Sequence, residues 1–347
     1  MDLIKQNWKL ATGLAAAAVT GAIAGVVVSE LKNNSKRNAN QVIGTPQKWI
    51  RVGAVCEIIL YPIKSCKGVS VHQANCTKIG LKASKYLRDR IFMVVNDRNA
   101  FQTQRQIPKM ALINVTVNDN RIILTSPGVD SIVFIPPEDK PELRKSCRVF
   151  EDKIAEALDC GDEVATWLSK FLEKDGLRLL FHSQENTQRE LTSLQQKFPN
   201  FTPEDKGAFS DQTSYMLMTE ESIKMLNTKL EKAVSHRNFR PSILVTGVTD
   251  PFSEDYWGYV RVGDYGPVFK SSKPCTRCKL TTVDPDKGIF DEKGEPLSTL
   301  TKLVRTYGNK KVDELVGNQA VIGLQLGLLQ GDGGIIRVGD PVFAAVL

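Results

Sequence analysis

Apolar residues along this chain recur mostly in short runs that proline, glycine or Asn/Asp clusters close. Val55–Tyr61 is an apolar, β-branched run stopped at Pro62, and Ile91–Val95 is another; both are predicted strands. Leu112–Val117 and Arg121–Leu124 flank Asn118-Asp119-Asn120, which predicts a β-hairpin with an Asn/Asp turn. Ile132–Ile135 follows as a strand and stops at Pro136-Pro137. The period then changes. After Gly161, the residues Val164, Trp167, Leu168, Phe171 and Leu172 fall on one helical face, and Gly176 ends the helix. Thr187–Asp205 is polar and periodless, which predicts a surface excursion between two units. Beyond it, Thr219 is placed to cap a helix running to about Lys232, with Ile223, Leu226 and Leu230 on one face. Ser242–Thr246, Val260–Val262 and Val338–Val346 predict further strands.

Arg-Val-Gly-Asp occurs at 261–264 and again at 337–340, each followed closely by Pro-Val-Phe (267–269 and 341–343). Gly-Asp after a strand is a turn signal, and two such turns feeding similar strands suggest a closed β-structure. The expected fold is mainly β with some α (α+β). No GxGxxG follows a strand and no GxxxxGK[ST] occurs, so a nucleotide-binding doubly wound fold is unsupported.

The N-terminus stands apart. Leu10–Ser29 carries no charge, and at about 1.5 Å per residue it matches the roughly 30 Å of a bilayer's hydrocarbon. Lys5 and Lys9 precede it; Lys32, Lys36 and Arg37 follow. A single membrane-anchoring helix fits these features. Ala22-Ile23-Ala24 also resembles a secretory cleavage site, whereas a mitochondrial presequence should be Arg-rich and amphipathic. Gly21 and Gly25 form a GxxxG pair, a spacing that an Ala/Gly-rich stretch also yields by chance. The expected organisation is an anchor or targeting segment over 1–31, a solvated linker over 32–48, a first β-rich unit over 49–186 and a second over 187–347.

Composition narrows the chemistry. With 347 residues, 41% hydrophobic and 24% charged, the chain can bury two cores, which excludes wholesale disorder and a polytopic membrane protein. Seven cysteines are too few for a disulfide scaffold of this length, and three scattered histidines make histidine-based metal chemistry a poor fit. The net charge of +7 suits an acidic partner or anionic ligand and does not by itself indicate nucleic acid; none is expected as a partner.

The sharpest feature is SSKPCTRCKLTTVDPDKG, Ser271 to Gly288, with a lone CxxC at Cys275 and Cys278. Four readings compete. A structural zinc site needs four ligands and has no second pair here. A redox dithiol needs a strand-to-helix junction in a βαβ setting. The pair could be buried and inert. Or one cysteine acts as a thiolate ligand or nucleophile, which Lys273, Arg277 and Lys279 around it favour. Asp284 and Asp286 read as turn formers.

This segment resembles the cysteine loop of MOSC-domain proteins, and within them the amidoxime-reducing components. YPIKSCKG (61–68), LRDR (87–90), AFSDQTSYMLMTE (208–220) and NFRPSILVTG (238–247) match the same family in order. The resemblance implies an N-terminal MOSC-type β-barrel-like domain and a C-terminal MOSC β-barrel domain. It implies molybdenum held through molybdopterin, with Cys275 as the protein ligand and Cys278 a neighbour. By motif match, Lys64, Ser65, Arg90, Asp211, Gln212, Thr213 and Arg240 form the cofactor cradle. Asp211-Gln212-Thr213 departs from the family's Asp-Thr-Ser. The implied activity is reduction of N-hydroxylated compounds such as amidoximes and hydroxylamines. Electrons would come from NADH through cytochrome b5 reductase and cytochrome b5. The implied location is the outer mitochondrial membrane, catalytic part towards the cytosol.

Two alternatives stay open: a sulfur-carrier or cofactor-handling protein with a persulfide on Cys275, and a tethered binding module without chemistry. A full cofactor sulfurase also has a pyridoxal-phosphate domain, for which the two matched units leave no room.

Overall fold

A computed structural model describes residues 46, 48–150, 152–183 and 197–345. The uncharged N-terminal stretch, its GxxxG pair, most of the linker and the first part of segment 187–205 lie outside the described residues. Among the described residues no helix is long and apolar enough to cross a membrane.

The first half of the chain supplies β1 (Ile50–Leu60), β2 (Val69–Val71), β3 (Gln73–Thr77), β4 (Gly80–Lys82), β5 (Phe92–Val95) and β6 (Asn114–Asn118). It continues with β7 (Arg121–Ser126), β8 (Val129–Phe134), β9 (Arg144–Val149), β10 (Asp152–Asp159), α1 (Asp162–Leu172) and β11 (Arg178–Phe181). The second half adds β12 (Tyr215–Thr219), α2 (Glu220–Asn227), α3 (His236–Phe239), β13 (Ile243–Thr246), β14 (Tyr259–Val262) and β15 (Val268–Thr276). It ends with α4 (Leu297–Lys302), α5 (Lys310–Val316), β16 (Val321–Gln330), β17 (Ile335–Arg337) and β18 (Pro341–Ala345).

Seven strands close a barrel in the order β13-β12-β16-β15-β14-β18-β1, because β1 also pairs with β13. Closure removes the free edges that an open sheet exposes. Side chains alternate across its wall. Ile58, Leu60, Leu217, Ile243, Phe269 and Leu324 fill the interior. Ile59, Tyr61, Met216, Leu244, Cys275 and Ile322 form a separate cluster on the outer flank. The first Arg-Val-Gly-Asp stretch and the strand that follows the second are neighbours in this barrel: β14 pairs with β18, Arg261 opposite Phe343, while Arg337 of the second copy ends β17 in another sheet. Gly263 (φ 83°) and Gly339 (φ 95°) take the left-handed backbone that these turns need.

The first half builds an open sheet β5-β11-β10-β9 and a meander β6-β7-β8. Between them, Phe92, Val94, Leu179 and Phe181 meet Ile122, Leu124 and the buried face of α1. α1 buries Val164, Trp167, Leu168, Phe171 and Leu172, as its period predicts. A third sheet, β17-β3-β4, joins strands from both halves.

Three expectations need correction. Leu112 does not start the hairpin, because Pro108 opens a 3-10 turn through Leu112 and β6 begins at Asn114. α2 stops at Asn227 rather than Lys232: the Asn227 amide donates to Val234 O and accepts from Val234 N, both at 2.9 Å, and turns the chain back. The described part of the polar segment is not a surface excursion. Phe198 and Phe201 are buried together with Tyr307, Val316 and Val321, and Asp205 is buried too.

Thr219 caps α2 as expected, its hydroxyl accepting from Ser222 N at 3.3 Å. The same oxygen lies 3.2 Å from buried Glu254. Thr219→Ala should therefore cost about 1–2 kcal/mol, the upper part of the range for a lost cap, measured by urea unfolding.

Candidate functional site

Every residue that the motif match placed in the cradle lines one cavity on the barrel's outer flank. Lys64, Ser65, Arg90, Asp211, Gln212, Thr213, Arg240 and Cys275 all border it. They come from five places: the turn after β1, the segment before β5, the loop before β12, the turn before β13 and the end of β15.

Backbone shape concentrates here. Ser65 (φ 66°), Arg90 (φ 51°) and Arg240 (φ 61°) all occupy the left-handed region that non-glycine residues usually avoid. Such strain is kept where the surrounding structure over-determines it. Lys64 N donates to Phe92 O (2.8 Å) and Gln104 Nε2 to Ser65 O (2.7 Å), holding the first turn. Arg240 ends α3, with its N–H bonded to His236 O at 2.8 Å.

The cations are braced, not loose. Lys64 Nζ donates to Phe209 O (2.7 Å) and pairs with Asp211. Arg90 pairs with buried Asp89 and donates to Arg240 O at 3.3 Å. Arg240 Nη1 donates to Cys66 O (2.6 Å), and its guanidinium lies 4.1 Å from the Tyr61 ring centroid. Burial pushes the Arg240 guanidinium down to about 10. For Arg90, burial acts in the same direction but Asp89 outweighs it and the shift is upward. Burial pushes the Asp211 carboxyl up, yet Lys64, then Arg105 and Arg90, hold it below its ordinary value.

Cys275 is 3% exposed, and Gln325 Nε2 donates to its sulfur at 3.0 Å. Gln325 Oε1 in turn accepts from Thr213 Oγ1. Arg277 donates to Phe239 O and Ile322 O, and burial pushes its guanidinium below its ordinary value. Lys273 Nζ donates to Gln212 Oε1 at 2.9 Å, and burial pushes its ammonium down to about 8. Cys278 is exposed at the cavity rim, so the two thiols are not equivalent. All seven cysteines are free. Asp284 and Asp286 do shape the following loop: Asp284 Oδ1 accepts from Asp286 N at 3.0 Å, and Asp286 pairs with Arg237.

One buried atom suits an anionic group. Arg240 Nη2 is buried in the cavity wall with no hydrogen-bond partner. An unpaired buried guanidinium nitrogen is costly, and an anionic group relieves that cost. A phosphate-bearing cofactor that offers its own metal ligands fits the donors present. Among the described residues no cluster of three or more His, Cys, Asp and Glu could hold a metal by itself, so the protein offers a metal one sulfur and an anion cradle.

Two family models cover most of the chain: the MOSC N-terminal beta barrel domain over residues 52–175 and the MOSC domain over 204–343. The chain belongs to the MOSC family. Its similarity extends to named relatives. It is 37% identical over 303 residues to mitochondrial amidoxime reducing component 2 of Bos taurus, covering 87% of this chain and 86% of that one. It is 38% identical over 300 residues to component 2 of Rattus norvegicus (85% and 84% covered). It is 35% identical over 296 residues to component 1 of Homo sapiens (84% and 83% covered). In this MOSC protein β1 falls in the N-terminal match yet completes the barrel whose other six strands lie in or next to the second.

Gln325 was missed by motif reasoning. It had a signal: it is the lone polar residue in the apolar run Val321–Leu329 of β16. The left-handed backbone at Ser65, Arg90 and Arg240 had none.

Proposed function

We propose that this MOSC protein is a molybdenum-dependent reductase of N-hydroxylated compounds, with electrons supplied by cytochrome b5 reductase and cytochrome b5. The observation that carries this is the buried Cys275 sulfur facing a cavity whose wall holds the unpaired Arg240 Nη2. The relatives' names, amidoxime-reducing components, support the same chemistry. Bound molybdenum–molybdopterin supplies two-electron reduction of an N–O bond. The protein's part is to bind and orient. Cys275 offers a soft thiolate, and the Gln325 N–H steadies that sulfur while Thr213 holds the amide in place. Arg240, Arg90 and Lys64 supply positive charge for the phosphate, and Asp211, about 41% exposed, balances Lys64 on the open side. Met216, Phe239 and Leu280 add apolar lining to the same cavity.

A sulfur-carrier role suits this geometry less, because a persulfide at a 3% exposed thiol is hard for an acceptor to reach. The relatives' mitochondrial names support a mitochondrial location and the uncharged Leu10–Ser29 stretch supports a membrane anchor; on this proposal that anchor lies in the outer membrane with the barrel in the cytosol.

Elemental assay of the freshly purified protein tests this reading. The expected result is about one molybdenum per chain, with an electron paramagnetic resonance signal from the metal in the half-reduced protein. Zinc, or no metal in material from a host that makes the cofactor, overturns it.

A further inference from the structure

The cavity does not end at its lining. Cys278 Sγ at the rim accepts from Arg105 Nη1 at 3.6 Å. The Arg105 guanidinium lies 5.0 Å from the Phe150 ring centroid and 5.9 Å from that of Phe101. The two rings meet edge to face at 5.1 Å, and Lys64 Nζ sits 5.6 Å from the Phe101 centroid. An aromatic and cationic surface therefore continues outward from the cavity, touching it at Cys278 on one side and Lys64 on the other.

Phe150 is the unusual member. It follows β9, whose Val149 pairs with Asp152 at the start of β10, so it sits at the tip joining two paired strands. Its side chain is 48% exposed, and its φ is 56°. Glycine or asparagine suits a left-handed tip; a bulky ring there is an outlier. An exposed phenylalanine in that conformation contributes little to the core, which leaves a surface role for the ring.

We propose that Phe150, Phe101 and Arg105 form a shelf that takes the flat aromatic body of a substrate whose N-hydroxyl end reaches the Cys275 cavity. The shelf rests on the reductase reading above for that second end only. A planar ring stacks on phenylalanine, and a guanidinium attracts its π face, so the shelf favours aromatic over small substrates. It sets how tightly the substrate is held and takes no part in the bond that breaks.

Phe150→Gly tests this, since glycine fits the backbone and the thermal midpoint should hold or rise. Benzamidoxime should show a KM raised about three- to tenfold, the factor of one stacked aromatic pair, with kcat unchanged. Hydroxylamine, which has no ring, should show no change in KM. Saturation-transfer NMR on the purified protein should show weaker benzamidoxime ring signals in the variant at the same ligand concentration, a readout independent of turnover. Phe150→Asn repeats the test if the glycine variant is poorly folded. Equal KM changes for the two substrates, or none for benzamidoxime, overturn the shelf. If the wild-type protein reduces neither compound, the reductase reading fails and the NMR comparison alone decides: ring signals of unchanged strength in Phe150→Gly overturn the shelf.

Discussion

On the proposed function, Cys275→Ser should lower N-reduction by more than about a hundredfold, beyond the 10- to 100-fold that loss of an outer partner of a metal ligand costs. A serine oxygen is harder than sulfur and stays protonated near neutral pH, so it is a poor ligand for a soft-ligand site. The fold survives, because Cys275 is a small side chain on the barrel's outer flank whose one recorded hydrogen bond comes from Gln325. Molybdenum per chain and turnover of an N-hydroxylated substrate are the two measurements, with circular dichroism as the control. Cys278→Ser, at the exposed rim, keeps the metal. Loss of molybdenum in that variant alone reverses the assignment of the two thiols.

Asp205→Ala lowers stability by about 3–5 kcal/mol, the cost of leaving one partner of a buried ion pair alone. Asp205 is 2% exposed and lies 3.2 Å from Lys270 Nζ, itself buried on β15. Its second oxygen accepts from Ser272 Oγ and Thr202 N, both at 2.9 Å. Its backbone oxygen accepts from Ser214 N at 2.6 Å. The residue thus ties the loop that carries Asp211, Gln212 and Thr213 to the barrel wall. The unfolding midpoint in urea should fall with little change in slope. Asp205→Asn should lose less, since an amide keeps acceptors for Ser272 and Thr202. An Asp205→Ala protein as stable as the parent removes the ion pair from the account of how this loop is held.

Period and punctuation carried the local elements. Val164, Trp167, Leu168, Phe171 and Leu172 are buried on α1 as their spacing requires, and the strands around Ile58, Val94 and Val245 form where the apolar runs lie. What a one-dimensional pattern cannot carry is pairing. Nothing near Ala54 marks Thr246 as its partner, and this contact across the chain closes the barrel. Phe198, Phe201 and Asp205 sit in a stretch without period because what buries them is distant in the chain: Tyr307, Val316 and Val321 for the two rings, and Lys270 on β15 for the carboxylate. At the cavity, Cys275 and its flanking motifs could be named from the sequence by resemblance, and the structure brings them together. Gln325 is far from any of those motifs, so only the β15–β16 pairing, Lys273 opposite Gln325, reveals that it reaches the sulfur.

The eleven residues of β1, Ile50 to Leu60, extend roughly 35 Å at the usual rise per residue before the chain reaches Lys64. The Ile50 end of β1 is therefore about a strand's length along the chain from the turn that lines the cavity.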